Sequence, residues 1–507
     1  MAAVALANRR QPEKLRVGVF ADAALQPRWM VEALARIAGS EFAEVRLVEA
    51  GESRPESEPL LWKMYGALDR RLFGADPTDC VPVQEHLQPS LVDAPLDVAF
   101  ILGGLDDADF ARRARYGAWR FQADGLREVI DAAPLTGSGV TVRLPGSRAA
   151  RSAYRSWSRT YPFSVARNRD QVLRKTGEFA ARALRELHRA GPGWLERCRE
   201  LPASPDSPSP RAGELSGLVT RLGRRALEKA LHIEQWFLAF KFRASLIAPD
   251  LAGFTRLVPP KDRDWADPFV LEKNGRWFLF FEELPYAAGK AHISMMEIDA
   301  AGRCSKPVRC IERDYHLSYP FVFEHDGDLY MLPETAKNRT LELWRCVDFP
   351  TRWKLERTLM EGVRMVDATL HQEKRGAGSR WWLFANCAPG DSRLYDDELN
   401  LFHAERLDGD WQPHPANPVK SDARSARPAG RLFTREGQLY RPAQICVPRY
   451  GAGIALHRVT KLTPAEFSER QVARLLPPES SGLLGLHTMN HAGDLTVVDA
   501  FARRRRL

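Results

Sequence analysis

The chain has 507 residues, of which 44% are hydrophobic and 27% charged, so a collagen, a coiled coil and a largely disordered chain are excluded. No run of 18 apolar residues is present, and residues 1–14 lack the apolar core of a secretory signal. Seven scattered cysteines without metal-ligand spacing are typical of a reducing compartment, so we expect a cytoplasmic protein.

The formal net charge of +9 is concentrated in one segment, because residues 143–185 contain eleven Lys and Arg but two acids. Aromatic residues are interleaved with these cations, which would suit stacking on bases. No helix-turn-helix, zinc-finger or RNA-binding signature accompanies them, so we predict no specific nucleic-acid partner. The segment is either a solvated helix face or a docking surface for an anionic group. In the second case, an anionic lipid would hold the protein peripherally at the inner membrane.

The first 200 residues alternate strand and helix patterns. Apolar runs at 15–20, 44–48 and 96–102 predict strands, and the patterns at 27–38 and 168–188 predict helices. Strands that alternate with helices favour an open, mostly parallel sheet. We therefore predict an α/β domain over residues 1–200.

The next segment is rich in Pro and Ser at 201–211, which predicts a linker. Residues 215–242 then have a helical pattern with an apolar cluster at 236–240. Such a helix would either pack between domains or lie on a membrane surface. We assign residues 201–255 to a linker and interdomain helix.

Residues 256–507 contain five repeats of roughly 50 to 60 residues. Each repeat has a short strand, a turn with Gly, and a second strand of aromatic and aliphatic residues. The turn dipeptides Asn274-Gly275 and Asp326-Gly327 tolerate the positive φ that tight hairpins require. Hairpin repeats of this length are typical of propeller blades, so we predict an all-β five-bladed propeller.

Polar residues recur at two equivalent positions of these repeats. The first set opens the repeats and consists of Asp267, Tyr319, Asp367, Arg427 and His487. The second set follows the second strand and consists of Glu282, Glu283, Glu334, Asn386, Gln444 and Asp499. Because the innermost strands of a propeller line its channel, both sets would form a polar funnel. Carboxylates, an Arg and a His in one funnel are suited to binding and processing a sugar.

From this funnel we predict three catalytic residues: Asp267 as base or nucleophile, Glu334 as acid and Asp367 as the carboxylate that tunes the acid. The predicted substrate-binding residues are Glu282, Tyr319, Arg427, Arg441, His487 and Asn490. No cofactor or metal is predicted, because an Asp-x-Asp pair such as Asp262 and Asp264 is too common to assign.

The motifs of the propeller region support a resemblance. WADPFV at 265–270, with Asn274-Gly275 and WFLFFE at 277–282, resembles the first blade of arabinanase- and levansucrase-type enzymes. In those families the Asp that matches Asp267 is a catalytic base or nucleophile. About 245 residues resemble more closely the N-terminal propeller-like domain of plant glucosamine inositolphosphorylceramide transferase and its bacterial relatives. That likeness also rests on YPFVFEHDGDLYMLPET at 319–335, RPAG at 427–430 and LYRPAQ at 439–444. In the plant protein, glycosyl transfer is assigned to a separate C-terminal domain, and we expect no counterpart of that domain within residues 1–507.

The N-terminal region resembles the folate-dependent formyltransferase fold through LDVAFILGG at 96–104, YGAWRFQADG at 116–125 and TGSGVTVRL at 136–144. That family uses an Asn, a His two residues later and a downstream Asp. Here Trp119 and Phe121 stand near the Asn and His positions, and the Asp segment has no counterpart. We expect a degenerate domain that does not transfer formyl groups in that way.

Three functions remain open at this point. The first is a sugar-acting protein of glycolipid or surface-polysaccharide biosynthesis, which performs glycosyl transfer or glycoside processing at the funnel on a carbohydrate or nucleotide-sugar substrate. The second is a non-catalytic glycan-binding or scaffold protein. The third is a sugar N-formyl- or acyltransferase that acts through the N-terminal domain.

Overall fold

The computed structural model describes residues 13–52, 59–73, 79–89, 95–201, 211–247, 249–376, 378–387 and 397–506. Contacts between residues divide the chain into two units, residues 1–223 and 224–507. Within the described ranges, no helix is long and apolar enough to cross a membrane.

Among its described residues, the N-terminal unit contains eight strands and seven α-helices, and an eighth α-helix starts there. The strands are β1 (Leu15–Ala21), β2 (Leu25–Pro27), β3 (Ala43–Ala50), β4 (Cys80–Pro82), β5 (Val98–Leu102), β6 (Ala118–Gln122), β7 (Leu135–Arg143) and β8 (Ala150–Arg159). The helices are α1 (Arg28–Ala38), α2 (Leu60–Phe73), α3 (Asp107–Ala111), α4 (Leu126–Ile130), α5 (Val165–Thr176), α6 (Phe179–Ala190), α7 (Gly193–Arg197) and α8 (Leu215–Leu231).

Six of these strands form one sheet in the order β3-β1-β5-β6-β7-β8. The pairings from β3 to β6 are parallel, and β7 and β8 continue the sheet antiparallel. Successive residues of β5 pack on opposite sides, since Phe100 joins one apolar core and Ile101 another. A sheet covered on both faces explains why the strand reads as a continuous apolar run. The predicted α/β domain with a mostly parallel sheet is confirmed.

One detail of this unit differs from the sequence prediction, and a second shows where Trp119 and Phe121 lie. The single helix predicted over 168–188 is two helices, because α5 ends at Thr176, with Gly177 as its C-cap, and α6 begins at Phe179. Trp119 and Phe121 are both buried in the core beside β6, so they pack the sheet.

The helix predicted over 215–242 ends at Leu231, and residues His232–Phe242 form strand β9 instead. The prediction was wrong because a continuous apolar run suits a buried strand as well as a helix. Phe240 packs in one apolar core and Phe237 in the core on the opposite face, which is the alternation of a strand.

The C-terminal unit is a propeller of five sheets. Its remaining strands are β10 (Thr255–Leu257), β11 (Arg263–Lys273), β12 (Arg276–Pro285), β13 (His292–Ile298), β14 (Val308–Ile311), β15 (Ser318–His325), β16 (Asp328–Glu334), β17 (Thr340–Asp348), β18 (Arg352–Glu361), β19 (Met365–Arg375), β20 (Gly378–Cys387), β21 (Glu398–Ala404), β22 (Gln412–Pro413), β23 (Lys420–Ser421), β24 (Phe433–Arg435), β25 (Gln438–Ile445), β26 (Gly453–Leu462), β27 (Phe467–Leu475), β28 (Leu483–Gly485), β29 (Met489–Ala492) and β30 (Leu495–Arg505).

Blades 1 to 4 are consecutive in sequence and consist of β11–β14, β15–β18, β19–β23 and β24–β27. Blade 5 is assembled from both ends of the unit, because β28 and β29 pair with β30, and β30 pairs with β9 and β9 with β10. The β9–β30 ladder runs from His232–Arg505 to Phe242–Leu495 without a register shift. The predicted five-bladed propeller is confirmed, with the added finding that residues before the first repeat close it.

Apolar residues on both faces of the blades hold neighbouring blades together. In β12, Phe280 packs towards the core shared with blade 2, whereas Phe281 packs towards the core shared with blade 5. The hairpin turns have the predicted geometry, since Asn274 and Gly275 have φ of 54° and 71°, and Asp326 and Gly327 have φ of 49° and 84°.

Candidate functional site

The innermost strands of blades 1 to 3 carry a β-bulge at the residue that opens the repeat. At Asp267, Tyr319 and Asp367 the φ angles are 51°, 43° and 53°, and the strand register shifts at each position. A positive φ costs a residue with a side chain about 1–3 kcal/mol. A β-bulge changes the direction of a side chain that strict strand alternation would place on the other face of the sheet. The repeated motif therefore stores backbone strain where it places the two carboxylates.

A polar cavity of about 260 Å³ lies beside these bulges. Its walls come from blades 1, 2, 4 and 5 and their connections, and consist of Trp236, Asp264, Ala266, Asp267, Glu282, Leu284, His316, Ser318, Glu334, Arg427, Tyr450 and His487. Five of the predicted site residues, Asp267, Glu282, Glu334, Arg427 and His487, meet there.

Asp267 is buried and held from three sides. Its Oδ1 accepts a hydrogen bond from Thr488 Oγ1 at 2.8 Å, and its Oδ2 accepts one from the Tyr319 N–H at 3.2 Å. Its own N–H donates to Asp499 Oδ2 at 3.0 Å. These contacts tie the carboxylate of blade 1 to blades 2 and 5 and fix its orientation.

His487 lies between two carboxylates. Its Nε2 is 3.3 Å from Asp267 Oδ1, and its Nδ1 is 2.7 Å from Asp499 Oδ2. Asp499 is fixed in turn, since its Oδ1 accepts hydrogen bonds from the N–H groups of His487 and Thr488. Burial disfavours the imidazolium, but Asp499 and Asp267 outweigh it and raise the pKa of His487 to about 9. The ring is therefore a cation next to Asp267 at neutral pH.

Asp367 is paired with a guanidinium below the cavity wall. Arg427 Nε donates to its Oδ2 at 2.5 Å, and Gln444 Nε2 donates to the same oxygen at 2.7 Å. The Asp367 N–H points at Glu334 Oε2 at 3.4 Å, so the two acidic side chains are neighbours.

Two of the four acids that line the cavity, Asp267 and Glu334, have pKa values raised to the neutral range. Burial, together with the Asp367 charge, raises the pKa of Glu334 to about 8 against the opposing effects of Arg427 and His316. Burial also raises the pKa of Asp267 to about 7, although the His487 cation works in the other direction. Both carboxyls consequently exchange protons near neutrality, as acid and base catalysis requires.

A second His–carboxylate pair lies at the rim. His316 Nε2 is 3.2 Å from Glu282 Oε1, and that carboxylate raises the pKa of His316 against the effect of burial. Burial raises the pKa of Asp264 to about 6, while its Oδ1 accepts hydrogen bonds from the Tyr286 hydroxyl and the Trp236 N–H.

An aromatic wall completes the cavity. The His487 ring centroid lies 4.2 Å from that of Trp236 and 5.2 Å from that of Tyr450. The Arg427 guanidinium stands 4.8 Å above the Tyr450 ring. Aromatic faces next to carboxylates are the combination that a sugar ring with apolar and hydroxyl faces requires.

Three predicted substrate-binding residues lie outside the cavity. The Tyr319 hydroxyl is buried and bonds to Gly430 N–H and Thr369. Arg441 is fully buried and paired with Glu469 at 2.7 Å, because it points to the opposite side of β25 from Gln444. Asn490 joins blades 5 and 1 by donating to Pro268 O at 2.8 Å. All three stabilise the propeller.

Sequence reasoning missed Trp236, His316 and Tyr450, which lie outside the repeated motif. One signal was available, since Asp264 and His316 each stand three residues before the opening residue of their repeat. Trp236 had no such signal, because β9 precedes all five repeats.

The ligand atoms of Asp267, His487 and Asp499 lie within 4.8 Å of one another, which is close enough to share a metal ion. A histidine must lose its proton to ligate a metal, and the raised pKa of His487 favours the protonated ring. The three groups form an ion-paired triad, and a metal ion would have to displace the ring proton.

Residues 261–484 match the sequence family described as glucosamine inositolphosphorylceramide transferase 1, N-terminal. Glucosamine inositolphosphorylceramide transferase 1 of Oryza sativa subsp. japonica is 34% identical over 207 residues, which cover 40% of this chain and 27% of the rice protein. The Arabidopsis thaliana protein of that name is 32% identical over 221 residues, or 43% and 28%. The match thus spans little more than a quarter of these curated relatives.

Among solved structures, the chain is similar to the catalytic domain of a Coprinopsis cinerea GH62 α-L-arabinofuranosidase, with 13% identity and a TM-score of 0.34 over 52% of this chain and 97% of that one. It is also similar to Zg3597, a family 117 glycoside hydrolase of Zobellia galactanivorans, with 11% identity and a TM-score of 0.34 over 48% and 77%. Similarity at this level supports no conclusion about activity. The resemblance to the N-terminal part of the plant transferases is confirmed over residues 261–484, whereas the formyltransferase resemblance of residues 1–200 stays a prediction.

Proposed function

We propose that this protein acts on a glycosidic bond in glycolipid or surface-polysaccharide biosynthesis, by glycosyl transfer or glycoside processing at the propeller cavity. The observation that carries the proposal is the pair of acids in this cavity, Asp267 and Glu334, whose surroundings differ. Asp267 lies beside the His487 cation, whereas Glu334 accepts a hydrogen bond from the Asp367 backbone N–H and has its pKa raised by burial and by the Asp367 charge. When the surroundings of two carboxyl groups act differently on their pKa values, the group that ionises more readily can act as the base and the other as the acid.

Glu334 is the proposed general acid. With a pKa raised to about 8, it holds its proton at neutral pH and donates it to the leaving oxygen as the glycosidic bond breaks. Asp367 does not touch the substrate in this mechanism. Fixed by Arg427 and Gln444, it is a positioning residue whose negative charge keeps Glu334 protonated.

Asp267 is the proposed base or nucleophile. The His487 cation favours the ionised carboxylate, and Asp499 keeps His487 in place. The ionised Asp267 either accepts a proton from the attacking hydroxyl or attacks the anomeric carbon itself, and the separation of the two carboxyls in a substrate complex distinguishes these outcomes.

The size of the cavity limits the substrate. At about 260 Å³ it lies below the roughly 300–1,000 Å³ of pockets for drug-sized ligands. One monosaccharide ring is the proposed occupant, stacked against the Trp236 and Tyr450 wall. The names of the plant relatives support a sugar as the transferred group and a glycolipid pathway as the setting.

A non-catalytic glycan-binding role is favoured by one observation. Both oxygens of Asp267 and the Oδ2 of Asp367 already accept internal hydrogen bonds, so these carboxylates also act as structural ties between blades. In that case the cavity would bind sugar and yield no product.

The test compares wild-type protein with Asp267→Asn and Glu334→Gln in a screen of nucleotide sugars and aryl glycosides. Glu324→Gln, which neutralises an exposed carboxylate of the same blade, is the matched control. Turnover that both cavity variants lose and the control keeps supports the enzyme. Saturable sugar binding without product in wild type supports the glycan-binding role.

A further inference from the structure

Helix α2 of the N-terminal unit exposes an apolar face. Sixteen large apolar residues are exposed among those that the structure describes, and five of them lie on this helix. A soluble monomer seldom concentrates exposed apolar side chains in this way, so the cluster indicates a contact surface. The five residues, here called the α2 stripe, are Leu60, Leu61, Met64, Leu68 and Leu72, with exposed fractions of 54–72%.

The α2 stripe follows one side of the helix. From Leu61 to Met64, Leu68 and Leu72 the steps are three, four and four residues, which is the spacing of one helical face. The helix has 14 residues and is therefore about 21 Å long. Because the stripe begins at its first residue and ends one residue before its last, it covers nearly this whole length.

The opposite face of α2 is fixed within the N-terminal unit. Trp62 is buried in one apolar cluster with Val165, and its Nε1 donates to Arg211 O at 3.1 Å. Asp69 is also buried, and its Oδ2 accepts a hydrogen bond from the Ala166 N–H at 2.7 Å. These two anchors are seven residues apart, or about two helical turns, so they share a face and hold the stripe outwards.

The exposed charged residues of α2 are all cations. Lys63, Arg70 and Arg71 are exposed, whereas Asp69, the one acid of this helix, is buried. The structure records no ion pair for these three cations among the residues that it describes. An apolar stripe flanked by cations is typical of a helix that lies in the interface of a membrane with anionic lipids.

The same charges argue against a second copy of this chain as the occupant. Two copies of α2 packed stripe to stripe would bring their cations together with no exposed acid of either helix between them. Like charges placed against each other at an interface are unfavourable. An anionic surface is therefore the better complement.

The basic segment 143–185 fits an anionic surface less well, because several of its cations are paired with acids inside the unit. Arg151 lies 3.0 Å from Glu200, and Arg169 lies 2.6 Å from Asp124. That segment also lacks a matching row of exposed large apolar residues. Of the two surfaces, α2 combines free cations with an apolar stripe.

We infer that α2 is a membrane-docking helix, whose stripe inserts between the head groups of a membrane that contains anionic lipids. Lys63, Arg70 and Arg71 bind the lipid phosphates. The helix lies along the membrane surface, since its long cationic side chains can stay at the level of the head groups while the leucines reach below them. This inference concerns the N-terminal unit alone and does not depend on the function proposed for the propeller cavity.

The experiment is flotation of the full chain with two kinds of vesicle, one of phosphatidylcholine and one of equal parts phosphatidylcholine and phosphatidylglycerol. Leu61→Gln/Leu68→Gln removes two apolar side chains from the α2 stripe and keeps its cations, and Gln is compatible with a helix. Leu25→Gln/Leu476→Gln, which changes two similarly exposed leucines elsewhere, is the control.

A second variant removes charge and keeps the stripe. Lys63→Gln/Arg70→Gln removes two of the three cations of α2. Arg352→Gln/Lys354→Gln removes two exposed cations from the outer strand of blade 2 and is its control.

We expect wild type and both controls to bind the mixed vesicles at least about tenfold more tightly than phosphatidylcholine vesicles. The leucine variant should bind the mixed vesicles at least about tenfold more weakly than wild type. The charge variant should lose most of the preference for phosphatidylglycerol. Flotation of the folded leucine variant that equals wild type overturns the inference. Should circular dichroism show that this variant does not fold, an unchanged lipid preference of the charge variant overturns it instead.

Light scattering on the same proteins tests the other occupant. A wild-type dimer that the leucine variant converts into a monomer, while neither protein floats with vesicles, would assign the α2 stripe to a second copy of the chain and overturn the membrane surface. A wild type that floats with the mixed vesicles and has the same mass in solution as the leucine variant supports the membrane.

Discussion

His487 Nε2 lies 3.3 Å from Asp267 Oδ1, and this contact joins the last blade of the propeller to the first. The ring is also 2.7 Å from Asp499, so one buried cation is paired with two buried carboxyl groups. The same contact that closes the ring of blades therefore sets the ionisation of the proposed base.

Replacing His487 with Gln should move the acidic limb of the pH–rate profile to higher pH. Without the cation, burial raises the pKa of Asp267 above about 7, so a smaller fraction of this carboxyl is ionised at neutral pH. The measurement is kcat/KM against pH. His325→Gln, at the far end of β15, is the control and should leave the profile unchanged. An unaltered profile in the His487 variant would show that Asp267 is not the titrating base.

The propeller should lose stability as pH rises through the neutral range. Asp267, Glu334 and His487 have pKa values raised to about 7, 8 and 9, so the folded chain binds more protons than the unfolded chain between their ordinary and raised values. The contribution of these three groups to the free energy of unfolding is therefore full below their ordinary values and is lost as pH passes the raised ones.

Glu334→Gln isolates one part of that effect. The amide cannot ionise, so the variant should gain stability relative to wild type as pH rises from about 5 to about 9. Thermal unfolding followed by circular dichroism at both pH values measures the difference. Glu324→Gln should show none. A Tm difference between Glu334→Gln and wild type that is the same at both pH values would contradict the raised pKa.

Asp367 and Arg427 should be strongly coupled in folding. Their side chains are 2% and 13% exposed, so either single change leaves a buried charge without its partner. In a double-mutant cycle of Asp367→Asn and Arg427→Gln, the double variant should be more stable than the sum of the single effects by about 0.5–3 kcal/mol. Additive effects in urea unfolding would mean that the pair stabilises nothing.

Strand β9 should be required for the propeller to fold. A fragment of residues 224–507 retains the closing β9–β30 ladder, whereas a fragment of residues 255–507 loses it but keeps the whole segment that matches the plant family. We expect cooperative unfolding from the first fragment alone, because the second exposes the edge of β30 and its apolar side chains. Cooperative unfolding of the shorter fragment would show that β9 is dispensable.

The repeats could be predicted from the sequence because their signals are local. Turn residues such as Asn274-Gly275 and the opening residues such as Asp267 recur at a fixed register. The role of β9 could not be predicted in this way. Its partner β30 lies more than 250 residues away, and a local apolar run does not distinguish a buried strand from a helix.

The candidate site was partly predictable because several of its residues belong to the repeats. Asp267, Glu334 and His487 belong to the recurring positions, and the structure brings them into one cavity. Arg441 also belongs to a repeat, but strand alternation turns it towards Glu469 and away from the cavity. His316 reaches the site from the connection before blade 2, a placement that depends on how the blades pack.

The decisive question for the proposed mechanism is whether the cavity holds a protonated carboxyl at neutral pH. Infrared difference spectra of wild type against Glu334→Gln, recorded as the pH is raised, report the carboxylic acid band of this residue alone. We expect a band at neutral pH that disappears with a midpoint near about 8 and is absent from the variant. A Glu334 that is already ionised throughout the neutral range would leave the proposed acid without a proton to give.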